Sequence, residues 1–197
     1  MAMADWSWRH PRTRPDRFVY DPDDPVPTCG GNTLIIPMGV QDQSQVETRQ
    51  DVLVYTSAPV AEPMEVTGPV VVKLFASSSA VDTDFTAKLV DVRPDGYAQN
   101  LADGILRTRY RASRMRPSFL TPNQIYELTI DLWATSHVFL PGHRVRLEVS
   151  SSNFPRFDRN LNTGEDQATS SRRQTAGQAI FHDSRYSSHI LLPLIPR

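Results

Sequence analysis

From about residue 50 onward, apolar side chains return at every second position in short runs, the period of strands with one buried face. Val145, Leu147 and Val149 point one way while Arg144, Arg146 and Glu148 point the other. Tyr126, Leu128, Ile130 and Leu132 alternate with Glu127, Thr129 and Asp131, and across 105–112 Leu106, Thr108 and Tyr110 alternate with Arg107, Arg109 and Arg111. Val52 and Val54, Val70 to Phe75, the run DFTAKLVDV at 84–92, His137 to Leu140, Ala179 to His182 and Ile190 to Leu194 complete the set. Breakers stand between the runs, among them Arg93-Pro94-Asp95-Gly96, with its proline and glycine in favoured β-turn places, and Pro141-Gly142. Roughly eight to ten short strands at a spacing of ~8–12 residues predict an all-β sandwich, most simply a jelly roll. No proline-free stretch of a dozen residues keeps helical apolar spacing, and sixteen prolines are spread along the chain.

Residues 1 to 17 have no period of either kind. They carry Trp6, Trp8, His10 and four arginines at 9, 12, 14 and 17, and are expected to be an arm or linker that orders by docking, leaving 18–197 as the sandwich. Next, FVYDPDDPVPTCGGNTL is expected to turn rather than pair, because Asp-Pro steps and Gly30-Gly31 interrupt it.

Composition narrows the function classes. At 197 residues with 39% hydrophobic content the chain can bury one full core. A net charge of −1 offers no global attraction to nucleic acid or an anionic membrane, and no run approaches the ~20 apolar residues of a spanning helix. The N-terminus lacks an apolar signal core, and the single Cys29 cannot form an internal disulfide, so a soluble, cytoplasmic setting is expected.

Catalytic motifs are missing. None of the nine glycines builds the G-x-S-x-G elbow of an α/β serine hydrolase, and no G-x-G-x-x-G, P-loop, H-E-x-x-H or pair of C-x-x-C motifs occurs. No cofactor or metal is expected. Asp21, Asp23 and Asp24 have the oxygen chemistry of a Ca²⁺ loop, but aspartates before prolines more often start turns. His137 and His143 are read as hydrogen-bonded turn residues before bases, and Asp158 could join His143 or His182 in a dyad only if the fold brings them together. The arginine row 107, 109, 111 could take a phosphate, though such rows are usually paired with acidic neighbours, here Glu127 and Asp131.

The most informative stretch is HRVRLEVSSSNFPRFDRNLNTGE at 143–165. Its strand exits into Ser150, Ser151, Ser152 and Asn153, then Phe154, Pro155 and Phe157, then Asp158, Arg159, Asn160 and Asn162. Asn153, Phe154, Phe157, Asp158 and Asn160 are candidates for a ligand cleft or a domain interface. The alternative, first on physical grounds, is a corner where amide and carboxylate side chains satisfy buried backbone groups and the aromatics add burial.

Six blocks in order, FVYDPDDPVPTCGG at 18–31, DQSQVETRQDVLVYTS at 42–57, VTGPVVVKLFASSSAVDTDFTAKLVDVRPDG at 66–96, GILRTRYR at 104–111, the stretch from Ile125 to Gly164 and HILLPL at 189–194, resemble the C-terminal domain of the X-Pro dipeptidyl-peptidase and cocaine-esterase-like (CocE/NonD) serine hydrolases. The resemblance spans about residues 18 to 195. It implies a galactose-binding-like jelly roll that packs on an α/β-hydrolase domain, whether in the same chain or in a separate subunit. The family's Ser, Asp and His lie in that hydrolase domain, so no triad residue maps here and the chain alone should be inactive, supporting its partner and bordering its substrate cleft. Two further readings stay open: an autonomous carbohydrate- or ligand-binding module, for which Trp133 and Tyr126 are the aromatic candidates, and a homo-oligomer through the surface that would meet the hydrolase.

Overall fold

The computed structural model describes residues 2–7, 14–34 and 37–196. Among these residues it contains ten strands and two single-turn 3₁₀ segments: β1 Ala2–Ser7, β2 Asp16–Tyr20, β3 Leu53–Thr56, β4 Met64–Ser78, β5 Asp84–Val92, β6 Ala98–Arg107, β7 Tyr126–Phe139, β8 Arg144–Ser150, β9 Ala176–Phe181 and β10 His189–Leu194. One antiparallel sheet runs β1-β10-β4-β9-β2 with β7 also paired to β4, and the other runs β3-β8-β5-β6. The expected all-β sandwich is therefore the fold.

The long β4 is the spine of the first sheet. It meets β7 along most of its length, and β10 and then β9 along successive stretches. The core between the sheets is filled by the alternating positions of facing strands: Val66, Val70, Val72 and Leu74 of β4, Leu128, Ile130 and Leu132 of β7, Phe85 and Leu89 of β5, and Val145, Leu147 and Val149 of β8. Each such side chain contributes about 1.5–3 kcal/mol on burial.

The opposite face of the second sheet is not open to water. The irregular segment 21–52 lies over it, and Val26, Val46 and Val52 form a second small cluster there. Beneath this cover Lys88 and Glu148 are both buried and form an ion pair of 3.1 Å. Gln43 accepts a hydrogen bond from Lys88 Nζ at 2.7 Å. Glu148, read from alternation as outward-facing, is consequently enclosed. Burial, opposed by Lys88, pushes its pKa up to about 7.

Three expectations about elements are corrected. Phe18 to Tyr20 pair as β2 with β9 although Asp-Pro steps follow at once. The strand expected over 105–112 begins earlier, at Ala98, and ends at Arg107, where Thr108 to Tyr110 turn as a 3₁₀ segment. His137 to Leu140 is not a separate strand, because β7 continues to Phe139. Within the segment expected to be an arm, Ala2–Ser7 pairs with β10, Ala2 opposite Leu194. Trp8 and His10 lie outside the described residues.

Candidate functional site

The chain after β8 is sewn to its neighbours almost residue by residue. Ser150 Oγ donates to Asp51 O at 2.6 Å, Ser151 Oγ accepts from Gln178 Nε2 at 3.1 Å, and Ser152 Oγ accepts from the Val26 N–H at 2.9 Å. Asn153 is buried and donates through Nδ2 to Asp103 at 3.1 Å. Phe154 bridges Pro27 in parallel, its N–H donating to Val26 O and its carbonyl accepting from the Thr28 N–H, and the Phe154–Pro155 peptide is cis.

Asn160 is fully buried and central. Its Nδ2 donates to Asp82 at 2.8 Å and to Asp84 at 2.7 Å, its Oδ1 accepts from the Asn162 N–H, and its carbonyl accepts from the Tyr20 hydroxyl at 3.0 Å. The two enclosed aspartates are matched by two arginines, Arg107 on Asp84 and Arg109 on Asp82. Burial outweighs Arg107 and Asn160 at Asp84 and raises its pKa, and burial also raises that of the Tyr20 hydroxyl. Two members of the arginine row therefore pair with acids, but with buried Asp82 and Asp84 rather than Glu127 and Asp131. Arg111 instead donates to the Ser118 carbonyl and covers the Tyr126 ring.

Of the five candidates, Asn153 and Asn160 face inward and Phe154 and Asp158 outward, while Phe157 is half-buried under the Arg156 guanidinium. Asp158 reaches Arg107 across the surface, while His143 and His182, its candidate dyad partners, lie against other aspartates. His137 Nε2 and His143 Nδ1 both lie 2.9 Å from Asp91, and His182 lies 3.1 Å from Asp16. Burial alone would raise the Asp91 pKa, but the two imidazoles outweigh it and hold the carboxyl below its ordinary value. Asp21 makes a turn with Asp23 and Asp24, which pair with Arg173 and Arg49. Among the described residues no group of three or more histidine, cysteine or acidic side chains could hold a metal ion.

A second feature adjoins this corner. Pro69 pairs with Ala134 and Val71 with Asp131, so β7 carries one extra residue against β4, a β-bulge. Trp133 sits in it at φ 66°, its N–H donating to Asp131 Oδ1 at 2.8 Å instead of joining the ladder, and its side chain is 71% exposed. Gly104 of β6 passes so close to the bulge that a Cβ would stand 2.0 Å from the Asp131 carbonyl. Beside the indole a pocket is lined by Gly31, Asn32, Asn100, Asp103 and Arg156. From its rim the loop between Gly31 and Gly39, closed by their mutual backbone bonds, carries exposed Leu34 and Met38, with exposed Val40 following. Sequence reasoning left Trp133 undecided and overlooked this loop and pocket; Gly104 inside an alternating run was the one signal of close approach.

The chain is thus an all-β module whose polar corner and apolar loop share one end. It matches the model of the X-Pro dipeptidyl-peptidase C-terminal non-catalytic domain over residues 9–191 and belongs to that family. It is 51% identical over 186 residues to the cocaine esterase of Rhodococcus sp. (strain MB1 Bresler), covering 92% of this chain and 32% of that protein. Among solved structures, an aminopeptidase from a marine sediment Thaumarchaeota archaeon superposes with a TM-score of 0.90 at 31% identity, over 100% of this chain and 37% of that one. An α-amino acid ester hydrolase superposes with a TM-score of 0.82 at 33% identity, over 92% of this chain and 33% of that one. The chain spans about a third of the length of each of these relatives.

Proposed function

We propose that this domain serves as the structural companion of an α/β serine hydrolase, acting on esters, amides or X-Pro peptides, and that the end bearing the 31–40 loop, Trp133 and Phe154 packs on the hydrolase portion at the border of its substrate cleft. The observation that carries this reading is the cluster of exposed apolar side chains at that one end, Leu34 at 89% and Met38 at 56% exposure, in a chain a third the length of its hydrolase relatives. Such a patch is costly in water and marks a surface that is covered in the working molecule. Asn153 and Asn160 then act indirectly, holding the corner on which the face is built, while Phe154 and Asp158 lie at its margin. The purified chain is expected not to turn over p-nitrophenyl esters or X-Pro-p-nitroanilide, and turnover blocked by a serine-directed inhibitor overturns the reading.

A cytoplasmic setting fits the unpaired Cys29, and fractionation of the native host tests it. A second reading is favoured by Trp133 alone, since an exposed indole beside asparagine, aspartate and arginine has the chemistry of a saccharide platform; a glycan array tests it. Self-association through the same apolar end is checked by sedimentation.

A further inference from the structure

We infer that the pocket beneath Trp133 is the anchoring socket of the proposed interface, taking a neutral loop of the hydrolase portion that offers an apolar side chain to the indole and a main-chain carbonyl to Arg156. This rests on the companion-domain reading and assigns it specific residues. Three observations converge. Trp133 is held at a positive φ that bulky residues avoid, and its one hydrogen bond there is made by the main chain, while the residue stays 71% exposed. Arg156 has a side chain only 10% exposed, yet its Nε and Nη1 have no hydrogen-bond partner among the described residues. Gly31, at φ 87°, presents no side chain to the guanidinium, where a Cβ would stand 3.5 Å from Arg156 Nη1 and 3.6 Å from Asp103.

Charge selects the occupant. Arg156 Nη2 already lies 2.9 Å from Asp103, so the guanidinium is neutralised while two of its donor groups stay unused. A second carboxylate would sit against Asp103; a carbonyl takes the free donors without repulsion. Indole and arginine are also the side chains most often found at the energetic centre of interfaces.

The test compares the isolated chain with a full-length esterase in which this chain replaces the matching third of the Rhodococcus cocaine esterase. In the isolated chain Trp133→Gly should leave the melting temperature unchanged or raise it by about 2–4 °C, as strain is released. Arg156→Lys, which keeps a charge for Asp103 but loses the free donors, should change it little. In the full-length protein both substitutions should lower it by several degrees. A clear fall on Trp133→Gly in the isolated chain overturns the proposal, whether or not the full-length protein assembles. Indifference of the full-length protein to both substitutions, while Leu34→Asp destabilises it, overturns the socket and leaves the interface standing. Indifference to all three rejects the interface itself. Calorimetric binding of methyl galactoside that is lost in Trp133→Gly also overturns the proposal, in favour of a saccharide site.

Discussion

Asn160 and Asp158 lie two residues apart in one polar run and do opposite work. Asn160 gives both of its amide hydrogens to buried carboxylates, so Asn160→Ala leaves Asp82 and Asp84 each short of a donor where water cannot replace it. We expect a loss of about 2–4 kcal/mol in urea unfolding. Asp158 meets Arg107 at the surface, and Asp158→Ala should cost under about 1 kcal/mol. The corner was legible from its residue types, because a serine, asparagine and aspartate run after a strand predicts backbone-satisfying bonds. Which members turn inward was not. That depends on Asp82, Asp84 and Asp103, which other parts of the chain bring to the same place.

At the scale of elements, alternation located the strands and misjudged their surroundings. The DFTAKLVDV run is β5 residue for residue, yet both of its faces are buried, because the 21–52 segment covers what the polar positions imply is open. Lys88 and Glu148 record that enclosure. The folded Glu148 carboxyl holds its proton up to a pH of about 7, against 4.5 ordinarily, so the folded state binds more protons in that window and stability should fall as pH rises from 4.5 to 7. Glu148→Gln should flatten that slope in thermal melts. Asp91 acts in the other sense: its pKa is depressed, so its contribution is present above the ordinary carboxyl range and is lost in acid. The bulge in β7 was invisible to pattern, since Trp133 fits a strand by type and only the register shows the extra residue. Gly104→Ala should destabilise strongly, by more than about 2 kcal/mol, because the added methyl meets a main-chain carbonyl that cannot move aside.

For the whole molecule, the fold was readable, because its short strands leave a periodic trace. The proposed interface was not readable. Leu34 and Met38 in a glycine-bounded loop look like any other loop residues until their exposure beside Trp133 is known. Removing that apolar character should improve the behaviour of the isolated chain: Leu34→Asp with Met38→Ser is expected to raise the concentration at which it stays monodisperse in light scattering, with little change in melting temperature.

Because β5 is hydrogen-bonded to β6 on one edge and β8 on the other, its amides have no outlet short of dismantling the second sheet. In deuterated solvent those of residues 84–92 should therefore be the last to exchange, ticking at the rate of complete unfolding while the margins of the sandwich turn over many times.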